Sequence, residues 1–514
     1  MSTVRINCRN EIIPWLTTKE SSCLPMYYAH SKRRTRIRQE IWIILLILVP
    51  LFAHSSPFLE FVGSGHEAEG FGARYKASSS SIYFNPANID LNKDVFSLSL
   101  TSWHRAHKIS REPRPTGYDI PNSVFEARIE NDGRLTSLDF RPLPSSEVNF
   151  DREMNDHSNA QFIVFSMSKP LIKETLAIGI LAVMPLGSFQ EQNPYFVDEQ
   201  AQFFDNRLHF EHLSDKFGNM LLTTGINWQV ITQLNLGFGL TLASQSDADP
   251  AVFVSDAART ESALTLSKIK VNSAFIPYFG LSADLSSSWN ISMTLHLPYQ
   301  SSVTGYSRLR FWDEGSESNS QTPVKFEFVY DFMPLRIAVG QRFDWRWSQY
   351  ALTLSGGVLW QQWSKFVDRL GVEPNTMKDT LTPELNLSVN SGVHGGEISG
   401  RYMPSSVPEQ SGRTNYVDND QIAIDVGYTH LFQSDNYDLK VGVGCQTYRL
   451  INRHHWKRKS ANTPIIDELP DSVSIRTGAP INGASGLQTN NPGFPGFSSA
   501  GYGIIWGLSV GVYR

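Results

Sequence analysis

The chain has 514 residues, a hydrophobic content of 41% and a formal net charge of −5. No stretch reaches the roughly 18 consecutive apolar residues of a membrane-spanning helix, which argues against a helical membrane protein. Basic residues cluster near the N-terminus and leave no basic face elsewhere, which excludes a nucleic-acid-binding protein.

The first predicted element is a secretory signal peptide over residues 1–55, with Met26 as a possible true start. An apolar run at residues 41–52 follows a basic cluster and precedes Ala53-His54-Ser55, a small-x-small cleavage pattern. A short N-terminal membrane anchor is the alternative. Cleavage would remove two of the three cysteines and leave Cys445 alone, without a disulfide framework.

The second predicted element is a segment rich in Gly and Ser over residues 56–91. It does not alternate between apolar and polar residues, so it cannot form a strand of a barrel wall. Two interpretations fit a segment at this place. It folds inward and plugs the lumen of a barrel, or it is a periplasmic linker.

Residues 92–514 predict an all-β fold, a transmembrane antiparallel β-barrel of about fourteen strands with a plug in the lumen. Apolar and polar residues alternate cleanly, as at residues 289–297, and a strand between lipid and lumen requires this pattern. The predicted strands are 95–107, 160–169, 174–187, 217–230, 233–244, 266–284, 288–300, 324–344, 349–367, 382–391, 395–404, 420–432, 438–450 and 500–514.

The connections between the predicted strands alternate between long and short. Those near residues 229–233, 284–288, 344–349 and 432–438 are tight, and seven others are long. Outer-membrane barrels have short periplasmic turns and long external loops, whereas a soluble sandwich has no reason for this regularity. The long connections are 108–159, 188–216, 245–265, 301–323, 368–381, 405–419 and 451–499.

The predicted strand 324–344 changes phase in its middle. Apolar residues occupy even positions up to Tyr330 and odd positions from Leu335 onward. We interpret the change as a β-bulge near Met333-Pro334, because proline is tolerated at bulges. Aromatic residues near strand ends, including Trp345 and Trp363, fit the girdles at the two membrane surfaces.

Two features near the C-terminus depart from a simple barrel pattern. Alternation places Arg514 in the outward phase, where barrels of this kind usually carry an aromatic residue. The pair His454-His455 lies in the basic last loop, and adjacent histidines without further ligands at metal-binding spacing do not predict a metal site. We expect the side chains of this loop to be solvated or to contact lipopolysaccharide phosphates.

Several segments resemble one known family. Gly70 and Gly72, followed by Phe84-Asn85-Pro86-Ala87, are similar to the N-terminal hatch of the long-chain fatty-acid transporter (FadL/TodX-type) family, which carries an Asn-Pro-Ala signature. Residues 173–187, 334–343 and 350–366 also resemble strands of that family. The resemblance implies a barrel of fourteen strands, in agreement with the count made from alternation alone.

The resemblance implies passive, ligand-gated transport of hydrophobic compounds across the outer membrane of a Gram-negative bacterium, with long-chain fatty acids as the expected ligand. Asn85 would position the hatch by hydrogen bonds and Pro86 by its fixed φ. Gly179 and Pro185 are candidates for a kink in the third strand, through which ligand leaves sideways in the family. Expected partners are outer-membrane lipid, lipopolysaccharide and the barrel-insertion machinery, and the family suggests a monomer.

Two other functions compete with this interpretation. A general or structural porin would conduct ions and admit small polar solutes. A membrane hydrolase would need a nucleophile beside a base, and His296 on the lumen side has no nucleophile motif with it. The sequence therefore predicts no enzyme, no metal and no cofactor, and the lumen-side histidine is expected to be solvated.

Overall fold

The computed structural model describes residues 59–60, 70–112, 153–186, 208–210, 220–243, 246–248, 251–255, 262–271, 274–312, 324–367, 373, 377–411, 416–457 and 496–514. All of them belong to one compact unit, Phe52–Arg514. The predicted signal peptide lies outside the described residues. In the described ranges no helix is both long enough and apolar enough to cross a membrane.

The described chain is built mainly of β-strands. Their bounds are β1 (Val95–Arg111), β2 (Glu153–Ile172), β3 (Leu176–Leu186), β4 (His209–Phe210), β5 (Leu221–Ile231), β6 (Leu234–Ala243), β7 (Ser246–Ala248), β8 (Ala251–Ser255), β9 (Ser262–Val271), β10 (Ala274–Ser286), β11 (Trp289–His296), β12 (Tyr299–Trp312), β13 (Val324–Met333), β14 (Arg336–Trp347), β15 (Tyr350–Gln361), β16 (Thr380–Ser391), β17 (His394–Met403), β18 (Tyr416–Val417), β19 (Gln421–Gln433), β20 (Asp438–Trp456) and β21 (Gly496–Tyr513).

Fourteen of these strands close into an antiparallel barrel, which confirms the predicted fold and strand number. Their order is β1-β2-β3-β5-β6-β10-β11-β14-β15-β16-β17-β19-β20-β21. The first and last strands complete the closure, because Val95 pairs with Tyr513 and Arg111 with Phe497. Backbone bonds between Asp94 and Arg514 extend this ladder by one residue at 2.9 Å.

The barrel wall is apolar outside and largely polar inside. In β19, Ile422, Ile424 and Val426 are exposed on the outer face, while Asp425 between them is buried on the inner face. In β11 the inner face carries four buried polar residues, Asn290, Ser292, Thr294 and His296. A continuous apolar exterior on a closed barrel is the surface that lipid requires.

The strand at 324–344 was wrongly predicted as one bulged strand. The chain forms β13 and β14 instead, and Pro334 lies in the break between them. The phase change arises because β14 joins the barrel, whereas β13 joins a separate five-stranded sheet ordered β13-β12-β9-β7 with β8 on β9. Strands β7 and β8 lie within the long connection predicted at 245–265, and most of β12 lies within the one predicted at 301–323. The single strand predicted at 266–284 is also wrong, because its first residues belong to β9 of the second sheet and its later ones to β10 of the barrel.

Two further predictions are corrected at the loop-bearing end of the barrel. His454 and His455 lie in β20, which continues to Trp456, and β21 already begins at Gly496. Trp363 is buried against Phe332 and Phe366 rather than placed at a membrane surface. This end also holds a parallel two-stranded ribbon, in which His209 and Phe210 of β4 pair with Tyr416 and Val417 of β18.

Residues 70–91, which we name the inner segment, contact the inner face of the wall. They form two short 3₁₀ helices, Gly70–Arg74 and Pro86–Asn88, and one α-helical turn, Ser81–Phe84. Most of their side chains are buried. The chain then continues into β1 at Val95.

Candidate functional site

The motif Asn85-Pro86-Ala87 is fixed by hydrogen bonds of the Asn85 side chain. Its Oδ1 accepts from the backbone N–H of Ala87 at 3.2 Å, and Pro86 begins the 3₁₀ helix that follows. Its Nδ2 donates to the carbonyl oxygens of Arg74 at 3.2 Å and of Leu281 in β10 at 3.3 Å. One amide therefore joins two turns of the inner segment to the barrel wall.

Four glycines on adjacent strands allow the motif to lie directly on the wall. Gly225 of β5 pairs with Gly179 of β3, and Gly237 of β6 pairs with Gly280 of β10. A Cβ at Gly237 would lie 2.2 Å from the Ala87 nitrogen. A Cβ at Gly280 would lie 2.2 Å from Asn85 Oδ1, and one at Gly179 would lie 2.6 Å from Ile82 Cγ1.

Polar side chains of the same strands hold the backbone of the inner segment. Tyr278 of β10 donates a hydrogen bond from its hydroxyl to the Ile82 carbonyl. Asn227 of β5 donates to the Ile89 carbonyl at 2.7 Å. His296 stacks on the Tyr278 ring, with ring centres 4.7 Å apart, and is 3% exposed. The expectation that His296 is solvated is therefore wrong.

A buried ionic network joins the inner segment to the opposite side of the barrel. Glu60 accepts hydrogen bonds from Arg74 at 2.8 Å, from Tyr83 at 2.9 Å and from Arg336 of β14. Arg74 also lies 3.4 Å from Glu384 of β16. Burial by itself raises the pKa of Glu60, but Arg336 and Arg74 outweigh it and bring the pKa below its ordinary value.

A polar cavity of about 330 Å³ lies near the short turns of the barrel. Its lining includes Lys76 and Glu397, which form an ion pair, and Arg342, which bonds Asp344 at 2.9 Å. Lys440 adds a further positive charge. Paired charges of both signs suit water and polar solutes rather than an alkyl chain.

The inner face is apolar on one side of the barrel, toward the loop-bearing end. We name this surface the apolar wall and define it by six buried residues of β1, β2, β3 and β5: Trp103, Phe162, Val164, Leu181, Val183 and Leu221. Phe84 and Ile82 of the inner segment belong to the same cluster, and Phe210 of β4 packs against it. A buried apolar cluster thus lies inside a wall that is elsewhere largely polar.

The structure brings most of the residues singled out from the sequence together. Phe84 is buried beside the motif, with the Arg74 guanidinium 4.7 Å from its ring centre. Gly70 and Gly72 lie in the first 3₁₀ helix, and a Cβ at Gly72 would meet Asn386 of β16 at 2.9 Å. These contacts place the residues; their functional roles remain predictions.

Gly179 and Pro185 both lie in β3. The register of β3 with β2 is regular from Ala177 to Leu186, whereas pairing with β5 ends at Val183. The kink predicted at these residues remains a prediction.

Sequence reasoning missed the ionic network. It also missed the four glycines beneath the motif, Gly179, Gly225, Gly237 and Gly280, which we name the glycine seat. Arg336 and Glu384 occupy the inward phase of their strands, so alternation alone could have marked them as charges inside the barrel. Gly237 and Gly280 are also in the inward phase, but their shared contact with the motif depends on strand register. Glu60 precedes the recognised motif, and no pattern near it indicates its partners.

Comparison with protein-family models gives no match, and neither does comparison with curated protein sequences. Solved structures do match. A FadL homologue from Pseudomonas aeruginosa is similar at 13% identity and a TM-score of 0.52, over 91% of this chain and 98% of that one. This similarity shows that the two chains share a fold.

Two other solved barrels align along most of their lengths. The toluene transporter TodX from P. putida aligns at 9% identity and a TM-score of 0.44, over 85% of this chain and 94% of that one. The monoaromatic hydrocarbon channel CymD aligns at 10% identity and a TM-score of 0.42, over 89% and 97%.

Proposed function

We propose that this barrel, which has the fold of a FadL homologue, carries hydrophobic compounds across the outer membrane of a Gram-negative bacterium, with long-chain fatty acids as its principal ligands. Transport is passive and gated by the ligand. The chain acts as a monomer inserted by the barrel-assembly machinery, in contact with membrane lipid and lipopolysaccharide. No catalytic step is part of this proposal.

The apolar wall is the observation that carries the proposal. Residues such as Trp103, Phe162 and Leu181 face the interior of the barrel, where a water-filled pore would have polar side chains. An alkyl chain gains roughly 0.8 kcal/mol for each methylene that it buries. A ligand of twelve or more carbons therefore gains enough on this surface to leave the external medium.

The inner segment is proposed to be the hatch of this carrier. It shares an apolar cluster with the wall, so a ligand that binds the wall competes with Ile82 and Phe84 for the same contacts. Asn85, Pro86 and Ala87 set the closed position on the glycine seat. Ligand then leaves sideways beside β3, where pairing with β5 ends before Pro185 and that proline has no N–H to donate.

A general porin is the second candidate, and the polar cavity favours it. The cavity of about 330 Å³ carries Lys76, Arg342, Asp344 and Glu397, a lining suited to water and small ions. A porin predicts ion conductance with the inner segment in place. A hatched carrier predicts little conductance and saturable binding of an apolar ligand.

The deciding experiment measures ligand competition. The mature chain, refolded in detergent, is loaded with a fluorescent long-chain fatty acid, and oleate, toluene and a sugar are tested as competitors. We expect saturable binding that oleate displaces and sugar does not. Displacement by toluene would extend the ligand class to aromatic hydrocarbons. Absence of saturable binding by a correctly folded barrel, together with high conductance in a planar bilayer, would favour the porin.

A further inference from the structure

Three side chains at the edge of the apolar wall form a hydrogen-bonded chain. The Trp103 indole Nε1 lies 3.2 Å from the Tyr448 hydroxyl, and His107 Nε2 lies 3.1 Å from the same hydroxyl. Trp103 is 1% exposed, and Tyr448 and His107 are each 2% exposed. Polar atoms this deeply buried need partners, so the direction of each bond matters.

The chemistry of the three groups fixes the first direction and limits the second. An indole N–H can only donate, so the Tyr448 hydroxyl accepts from Trp103. The hydroxyl keeps its own proton and a second lone pair, so it either donates to His107 Nε2 or accepts from it. A neutral imidazole that accepts at Nε2 carries its proton at Nδ1. Within the described part of the chain, this buried Nδ1 has no hydrogen-bond partner.

The surroundings make room for these rings. Opposite them on β21, a Cβ at Gly501 would lie 2.7 Å from His107 Cδ2, and one at Gly503 would lie 2.2 Å from Tyr448 Cε1. The Phe210 ring centre lies 5.1 Å from that of His107. The result is one unpartnered imidazole nitrogen among aromatic side chains, a combination that suits an apolar molecule with one polar end.

We propose that His107 Nδ1 donates a hydrogen bond to the acyl oxygen of the transported ligand, and that Tyr448 and Trp103 hold His107 in the required tautomer. The inference rests on the proposed carrier function and narrows its ligand class. The favoured ligands are long-chain acids and esters rather than hydrocarbons of the same length. Arg105, whose guanidinium lies 5.8 Å from the Trp103 ring centre, adds attraction for a carboxylate.

The test compares three competitors of equal chain length: dodecanoate, methyl dodecanoate and dodecane. Each displaces the fluorescent fatty acid from the refolded wild-type chain, from H107F, and from H104F, whose altered side chain lies on the outer face of the same strand. We expect His107→Phe to weaken the acid and the ester about tenfold and to leave dodecane unchanged, because one hydrogen bond is lost. Tyr448→Phe removes the hydroxyl that holds His107 in one tautomer, so it should weaken binding of the acid and the ester less than His107→Phe does.

Each result has a defined meaning once heat-modifiable migration in gels shows that every variant is folded. Selective loss of acid and ester binding in H107F, with H104F unchanged, supports the proposal. Equal losses for all three competitors make His107 a packing residue and overturn it, as does wild-type binding of dodecane as tight as that of the ester. A wild-type chain that binds none of the three refutes the carrier function itself, which is a separate failure.

Discussion

At the scale of single residues, Gly237 provides the sharpest test of the seat beneath the inner segment. We expect Gly237→Ala to displace the motif, because the added carbon would lie 2.2 Å from the Ala87 backbone nitrogen. The inner segment should then become sensitive to protease, and the conductance of the barrel should rise. Gly396→Ala is the matched control, because a Cβ there meets nothing within 4 Å. Unchanged protection in G237A would mean that the segment is held elsewhere.

The pair of Glu60 and Arg336 provides a second prediction. Replacing Arg336 by Met removes one of the guanidinium groups that bond the buried Glu60 carboxylate and leaves its bond to Arg74. Breaking a buried pair in this way costs about 3–5 kcal/mol, so protection of the inner segment should be lost at lower denaturant concentration. Arg346→Met, on the exposed end of β14, is the control and should have no effect.

The lowered pKa of Glu60 predicts a pH dependence of defined sign. A carboxylate whose pKa is depressed by docking stabilises the docked state fully above its ordinary value of 4.5. That contribution is lost as the pH falls below 4.5 toward the docked value. The difference in segment protection between wild type and Glu60→Gln should therefore be constant from pH 8 to 5 and shrink below. A difference that shrinks on raising the pH would contradict the assignment.

The alternation of apolar and polar residues shows which side of the barrel wall a residue faces, but it does not show which residues it contacts. Alternation predicted the inward position of Gly237 and the polar lining that includes His296. It could not show that His296 stacks on Tyr278, because that contact depends on the offset between β10 and β11. Asn85 was identified from a resemblance, while its bond to Leu281 joins residues almost two hundred positions apart.

At the scale of elements, the strands of the barrel were predictable from the sequence, and the second sheet was not. Each of the fourteen barrel strands overlaps a predicted one, because lipid on one side and lumen on the other impose a strict period. Strands β9 and β12 belong to the second sheet and not to the barrel wall, so they need not alternate strictly between apolar and polar residues. The phase change at Met333-Pro334 was a real signal, but it marks a passage from one sheet to another.

The ribbon of β4 and β18 gives a prediction at this scale. Phe210 of β4 packs against the apolar wall, so ligand entry should require the ribbon to move. His209 and Tyr416 are paired, and cysteines at both positions in a Cys445→Ser background can form a cross-link. Oxidation should slow the binding of the fluorescent fatty acid, and reductant should restore it. Either single-cysteine variant is the control, and equal rates before and after oxidation would refute the requirement.

At the scale of the whole molecule, the apolar exterior predicts where the barrel meets lipid. Cys445 is the one cysteine after residue 55 and lies exposed on the outer face of β20. In vesicles we expect a lipophilic maleimide to label it and a charged, water-soluble thiol reagent to fail. Ser287→Cys, at the exposed turn between β10 and β11, should react with the charged reagent. Rapid labelling of Cys445 by that reagent would place β20 outside the bilayer.

The position of the inner segment also has a consequence for how the protein assembles. The segment directly precedes β1, which pairs with β21 to close the barrel. Its seat, however, lies on β3, β5, β6 and β10, and its ionic partners lie on β14 and β16. None of these surfaces exists until most of the chain has been synthesised and aligned. The inner segment, which precedes every barrel strand in the chain, should therefore be among the last parts to become ordered, and its docking would report that the wall is complete.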